Sequence, residues 1–112
     1  MAYGNGHVLY SGMLTTTAPV PVWTMTSGTV TICHGTICNT SALAVTVSMS
    51  VLPPGATVDG THVAISNYSL AAGDTLSLKD YLDGATLGYG DSIWVTAATA
   101  NSVVVVLSGL LS

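Results

Sequence analysis

The sequence predicts an all-β fold: an antiparallel β-sandwich, jelly-roll-like, with about eight short strands in a single domain. Three observations carry this. The chain holds 16 Thr, 14 Val and 12 Ser among 112 residues, and β-branched residues suit a pleated, half-buried surface. Leu43, Val45, Val47, Met49 and Val51 share one parity while Ala44, Thr46, Ser48 and Ser50 share the other, the period-2 pattern of a strand buried on one face. Turn signals recur at short intervals, which suits an antiparallel sandwich rather than βαβ units.

The elements follow in order. The first strand lies near 7–15, before a Thr-rich linker at Thr15, Thr16 and Thr17. Strands near 20–26 and 29–38 are separated by Ser27-Gly28, and Asn39-Thr40-Ser41 turns the chain into the alternating strand near 43–52. Pro53-Pro54-Gly55 and Asp59-Gly60 precede a strand near 61–70, and Ala72-Gly73-Asp74 precedes one near 75–79. No 12-residue stretch shows a capped helical period, although 79–83 accommodates one helical turn. Gly88-Tyr89-Gly90-Asp91 introduces a strand near 92–98, and Asn101-Ser102 introduces the last, near 102–110. Asp74 and Asp91 follow Gly in two similar turns, each carboxylate accepting a backbone N–H. At domain level, residues 1–21 form an N-terminal arm and first edge strand, and residues 22–112 form the sandwich core.

Composition excludes several functions. Charged residues are 5% of the chain, against about 25% in an ordinary soluble domain. With 49% apolar residues the chain is not disordered. Lys79 is the only basic side chain apart from three His, so phosphate-driven nucleic-acid binding is excluded. The longest apolar run, 103–107, is far too short for a membrane-spanning helix. The N-terminus lacks a secretory pattern, so synthesis in a cytoplasm is expected. A net charge of −4 gives little colloidal protection, which implies that self-association or a larger assembly covers much of the surface.

Candidate chemistry is sparse. Cys33 and Cys38 lack the spacing of a zinc or haem site. Five positions apart on a regular strand they face opposite sides, so they read as free, buried or half-buried thiols. His7, His34 and His62 bear no ligand spacing to one another, and no metal or cofactor is expected. The carboxylates Asp59, Asp74, Asp80, Asp83 and Asp91 all fall at turns rather than beside a His or in a pair, so no catalytic residue is assigned and the chain reads as non-enzymatic. An interaction surface is the better candidate. Ile93, Val95 and Ala97 make one face of a strand, leaving Trp94 outward with Ser92 and Thr96; Val104 and Val106 make the last strand apolar on its second face too. Trp94, Val104 and Val106 therefore read as a contact surface, with Trp23 as a further aromatic and His7 on a docking arm.

The order of these motifs resembles a group of small β-sandwich virion structural proteins of tailed bacteriophages. The match covers nearly the whole chain, from the opening strand Val8-Leu9-Tyr10-Ser11-Gly12-Met13-Leu14-Thr15 to the closing strand. Between them lie Val22-Trp23-Thr24-Met25, Leu52-Pro53-Pro54-Gly55, Leu70-Ala71-Ala72-Gly73-Asp74 and Tyr89-Gly90-Asp91-Ser92-Ile93. The chain departs from the family's pattern at Trp23, Trp94 and the plain Val103–Leu107 strand. The resemblance implies a capsid decoration (cement) protein or a tail or fibre accessory protein, often trimeric. Its partner would be the major capsid protein, or tail proteins, and its location the capsid surface. A compact chain without heptads favours decoration. The rival class is a carbohydrate-binding module, with Trp23, Trp94, Tyr68 and Tyr89 as a stacking platform.

Overall fold

Two hydrophobic strand faces pressed together account for the architecture. The computed structural model describes residues 6–82 and 85–111. Among these residues nine strands occur in chain order: β1 (Gly6–Met13), β2 (Val20–Thr24), β3 (Val30–Asn39), β4 (Val45–Leu52), β5 (Val63–Leu70), β6 (Thr75–Ser77), β7 (Thr86–Leu87), β8 (Ser92–Ala97) and β9 (Val103–Leu111). One helical turn, α1 (Lys79–Leu82), sits between β6 and β7. One sheet runs β1-β9-β3-β6, with β7 also paired to β3, and the other runs β2-β8-β4-β5. All pairings are antiparallel. First strand meets last, second meets second-last, and β4 meets β5, so the chain is a long hairpin rolled across two sheets. That is jelly-roll connectivity.

The core is the space between the sheets. Ile37, Val47, Met49, Ile93, Val95, Ala97, Val103, Val105 and Leu107 are fully buried there, and Ile32 and Leu14 nearly so. Alternation does the sorting: every second residue of β8 and β9 enters the core, and its neighbour faces out. Gly35 is required where β3 passes beneath α1. A Cβ there would lie 2.9 Å from Leu107 Cδ2 and 3.0 Å from Leu78 Cδ1, and the Leu78 N–H donates to the Gly35 carbonyl at 2.8 Å.

Several expectations change. The strand expected near 75–79 stops at Ser77 because α1 begins at Lys79, and β7 supplies the remaining pairing with β3, giving nine strands rather than eight. The helical turn lies where the sequence allowed one; Asp83 lies outside the described residues. Of the proposed N-terminal unit, Gly6–Met13 is an edge strand and Leu14 belongs to the core, while residues 1–5 lie outside the described residues. Leu43 does not enter the core with its alternating partners. It is 77% exposed, because β4 begins at Val45 and residues 40–44 form the connection between the sheets.

Candidate docking surfaces

Directly opposed residues of an antiparallel pair share a face, so the register maps the outer surface of each sheet. On the β1-β9-β3-β6 sheet, Met13, Val104, Cys38 and Thr75 form one outer row, and Ser11, Val106, Thr36 and Ser77 the next. Val8, Ser108 and His34 form a third, and Leu110, Thr31 and Thr86 a fourth. Val104 and Val106 are half-buried, while Val8 is 68% and Met13 41% exposed. This face mixes aliphatic groups with hydroxyls.

The other outer face belongs to β2-β8-β4-β5. Pro21, Trp94, Ser50 and Val63 form one row, Thr96 and Ser48 the next, and Thr46 and Ser69 a third. Trp94 Nε1 donates to Ser92 Oγ at 2.8 Å, which fixes the half-buried indole beside its own strand. Ser50 and Ser92 are buried. Ser48 Oγ accepts the Asn67 N–H at 2.9 Å, where β5 is irregular and Asn67 takes φ 51°. Hydroxyls dominate this face.

The residues expected to make one contact surface are therefore divided. Trp94 faces out from one sheet, and Val104 and Val106 from the other, because β8 and β9 are consecutive in sequence but lie in different sheets. Trp23 does not face out. A bulge at Val22 shifts it opposite Ile93, where it packs on the core with Nε1 buried and without a hydrogen-bond partner. His7 is exposed on β1. The four-aromatic platform is likewise not assembled: Tyr68 sits on edge strand β5 opposite Val47, and Tyr89 projects from the 88–91 turn, 74% exposed.

The cysteines are free, as expected, but Cys33 is exposed. A register shift between Ile32 and His34 adds one residue to β3, so Cys33 and His34 both lie outside and Cys38 returns to that same outer face.

The carboxylates mostly organise turns. Asp91 Oδ2 accepts the Gly88 N–H at 2.8 Å, whereas Asp74 acts through its backbone, its carbonyl accepting the Asn39 N–H at 2.9 Å. Asp59 Oδ1 accepts the Thr61 hydroxyl at 2.6 Å and the Thr61 N–H at 3.0 Å. The Thr61 hydroxyl, then its N–H, hold the Asp59 carboxyl below the usual carboxylate range, with a smaller contribution from the positive form of His62. Among the described residues there is no cluster of three His, Cys, Asp or Glu that could hold a metal, and no ligand-sized pocket.

Sequence reasoning missed Asn39. It is fully buried at the end of β3, and its Nδ2 donates to Leu43 O at 2.8 Å, Leu70 O at 3.0 Å and Ala71 O at 3.3 Å. Its Oδ1 accepts the Ser41 N–H at 2.9 Å and the Ser41 hydroxyl at 2.7 Å. One side chain thus ties β3 to the end of β5 in the opposite sheet. The Asn-x-Ser spacing of an Asx turn was the available signal.

Fold and faces define the chain as an antiparallel jelly-roll sandwich whose strands, among the described residues, contain no Asp or Lys. Comparison with protein-family models, curated proteins and solved structures finds no match.

Proposed function

We propose that this chain is a non-enzymatic structural protein of a virion: a capsid decoration protein that binds the outer surface of a tailed-phage head and stabilises the shell. The observation that supports it is the placement of charge. None of the nine strands contains Asp or Lys, so both broad faces are hydroxyl-and-aliphatic surfaces. Such a face gains little from electrostatic steering and binds through close apolar contact and short hydrogen bonds. Modest affinity per copy suffices on a repeating shell, because many copies act together. With two uncharged faces back to back, one can lie on the major capsid protein and the other remain outward. Jelly rolls recur in viral shells and in lectins, an analogy of fold alone.

Immunogold labelling of virions, with antibody raised against the purified chain, tests the proposal. Label over heads is the expected result. Label confined to tails assigns the tail or fibre role instead, and unlabelled particles sink the virion reading. Glycan-array binding that disappears in Trp94→Ala supports the carbohydrate-binding alternative.

A further inference from the structure

The four sheet edges are not equally defended. An edge strand offers unpaired N–H and C=O groups to any other strand, and proteins blunt such edges with proline, charge, bulges or brevity. On β2, Pro21 stands mid-strand beside the Val22 bulge. On β5, pairing with β4 breaks twice and Asn67 is left-handed. The edge formed by β6 and β7 consists of three-residue and two-residue strands separated by α1. β1 and β5 are the long edges, each with eight residues and no proline, Asp or Lys, and of the two β1 keeps the more continuous register. Its single irregularity, at Leu9, leaves residues 10–13 in regular register with β9.

The direction of its free groups follows from one hydrogen bond. The Leu14 N–H donates to Val103 O at 3.0 Å, so Leu14 points its backbone towards β9. By antiparallel alternation Gly12 and Tyr10 do the same, and Ser11 and Met13 present N–H and C=O to the open side. Their side chains share the outer face with Val8, and Val8 and Met13 are among the exposed large apolar residues of the molecule.

We infer that β1 is an interaction edge whose partner is the same edge of a second copy. Antiparallel pairing about a two-fold axis at Ser11 lets the two Ser11 residues exchange N–H and C=O. It sets Gly12 opposite Tyr10 and brings Met13 beside Val8 of the other copy, apolar against apolar. The Leu9 bulge makes this workable, because without the extra residue Val8 and Met13 would lie on opposite faces. Neither strand carries an Asp, Glu, Lys or Arg to oppose the approach, and the exposed His7 lies four residues from the axis at Ser11. Two such edges bury less than a standard interface, which places the pair among weak, concentration-dependent associations. A two-fold contact of this kind is isologous and closes at two copies.

The test follows mass and amide exchange across micromolar to millimolar concentrations. The mass-average should climb from the 11.3 kDa of one chain towards twice that value, and exchange at Ser11 and Met13 should slow while Tyr10 and Gly12 stay unchanged. The double variant Val8→Lys, Met13→Lys alters two exposed side chains, so it should melt like wild type and keep the single-chain mass throughout. Concentration-independent exchange at Ser11 and Met13 overturns the inference, as does a limiting mass of three chains or an undiminished association of the double variant. The measurement needs no capsid, so its failure is separate from that of the decoration reading: gold-labelled heads with a strictly monomeric chain would remove the edge contact alone.

Discussion

Replacing Asn39 should damage the fold more than any surface change. In Asn39→Ala the bonds to Leu43 O, Leu70 O and Ser41 disappear, and the Leu70 carbonyl, whose bond from Asn39 is buried, loses that donor. Three hydrogen bonds at about 1 kcal/mol each, plus about 1 kcal/mol for a stranded buried acceptor, give a loss of about 4 kcal/mol. That is a large share of the roughly 5–15 kcal/mol available to a domain, and at this chain length it lowers Tm by about 15 °C. Urea unfolding followed by tryptophan fluorescence measures it, with an unchanged m-value showing that the same surface is exposed. A loss below about 1 kcal/mol would refute the reasoning. Asn39→Asp sharpens the test, because it keeps the acceptor for Ser41 but turns an oxygen towards three carbonyls. Only the protonated acid can donate there, so its folded pKa lies above its unfolded value. Stability is then greatest at low pH and falls as pH rises through the folded pKa. An Asn39→Asp protein equally stable across about pH 4 to pH 7 would contradict the geometry.

Three further outcomes are expected. Gly109→Ala should cost about 2–3 kcal/mol, read by the same urea titration, because its Cβ would stand 2.6 Å from the Thr31 backbone oxygen and backbone cannot move aside cheaply. Asp59 should titrate below an ordinary aspartate in an NMR pH series, and Thr61→Val should move its midpoint upward by removing the hydroxyl that favours the carboxylate. A thiol reagent should modify exposed Cys33 several-fold faster than half-buried Cys38, and reductant should leave the mass of the untreated chain unchanged; equal rates would mean the β3 bulge is misplaced.

What could be read from the sequence is what depends on parity. The alternation from Val45 to Met49 and the outward Trp94 follow from period-2 geometry alone, and both hold. Parity says which residues share a face of one strand, but not which sheet the strand joins. Consecutive strands cross between sheets, so Trp94 and the pair Val104 and Val106, nearby in sequence, end on opposite sides of the molecule. Bulges are the second blind spot. One extra residue at Ile32–His34 and another at Val22 reverse the parity that follows, which puts Cys38 on the same outer face as Cys33 and turns Trp23 in. Asn39 escaped for a third reason: a polar residue at a strand end reads as a turn, and its burial depends on carbonyls 31 and 32 residues away.

The pairing of β1 with β9 also fixes an order of events in time. The strand made first has no ladder partner in its own sheet until Val103–Leu111 has been synthesised. Closing a loop of roughly 90 residues must precede any reward from that pairing, and non-local pairing of this kind slows folding. Until Val103–Leu111 has emerged, β1 therefore waits unpaired with both of its edges open. The fold is completed at its first strand last, and a chain cut short before β9 would display two open edges on β1 instead of one.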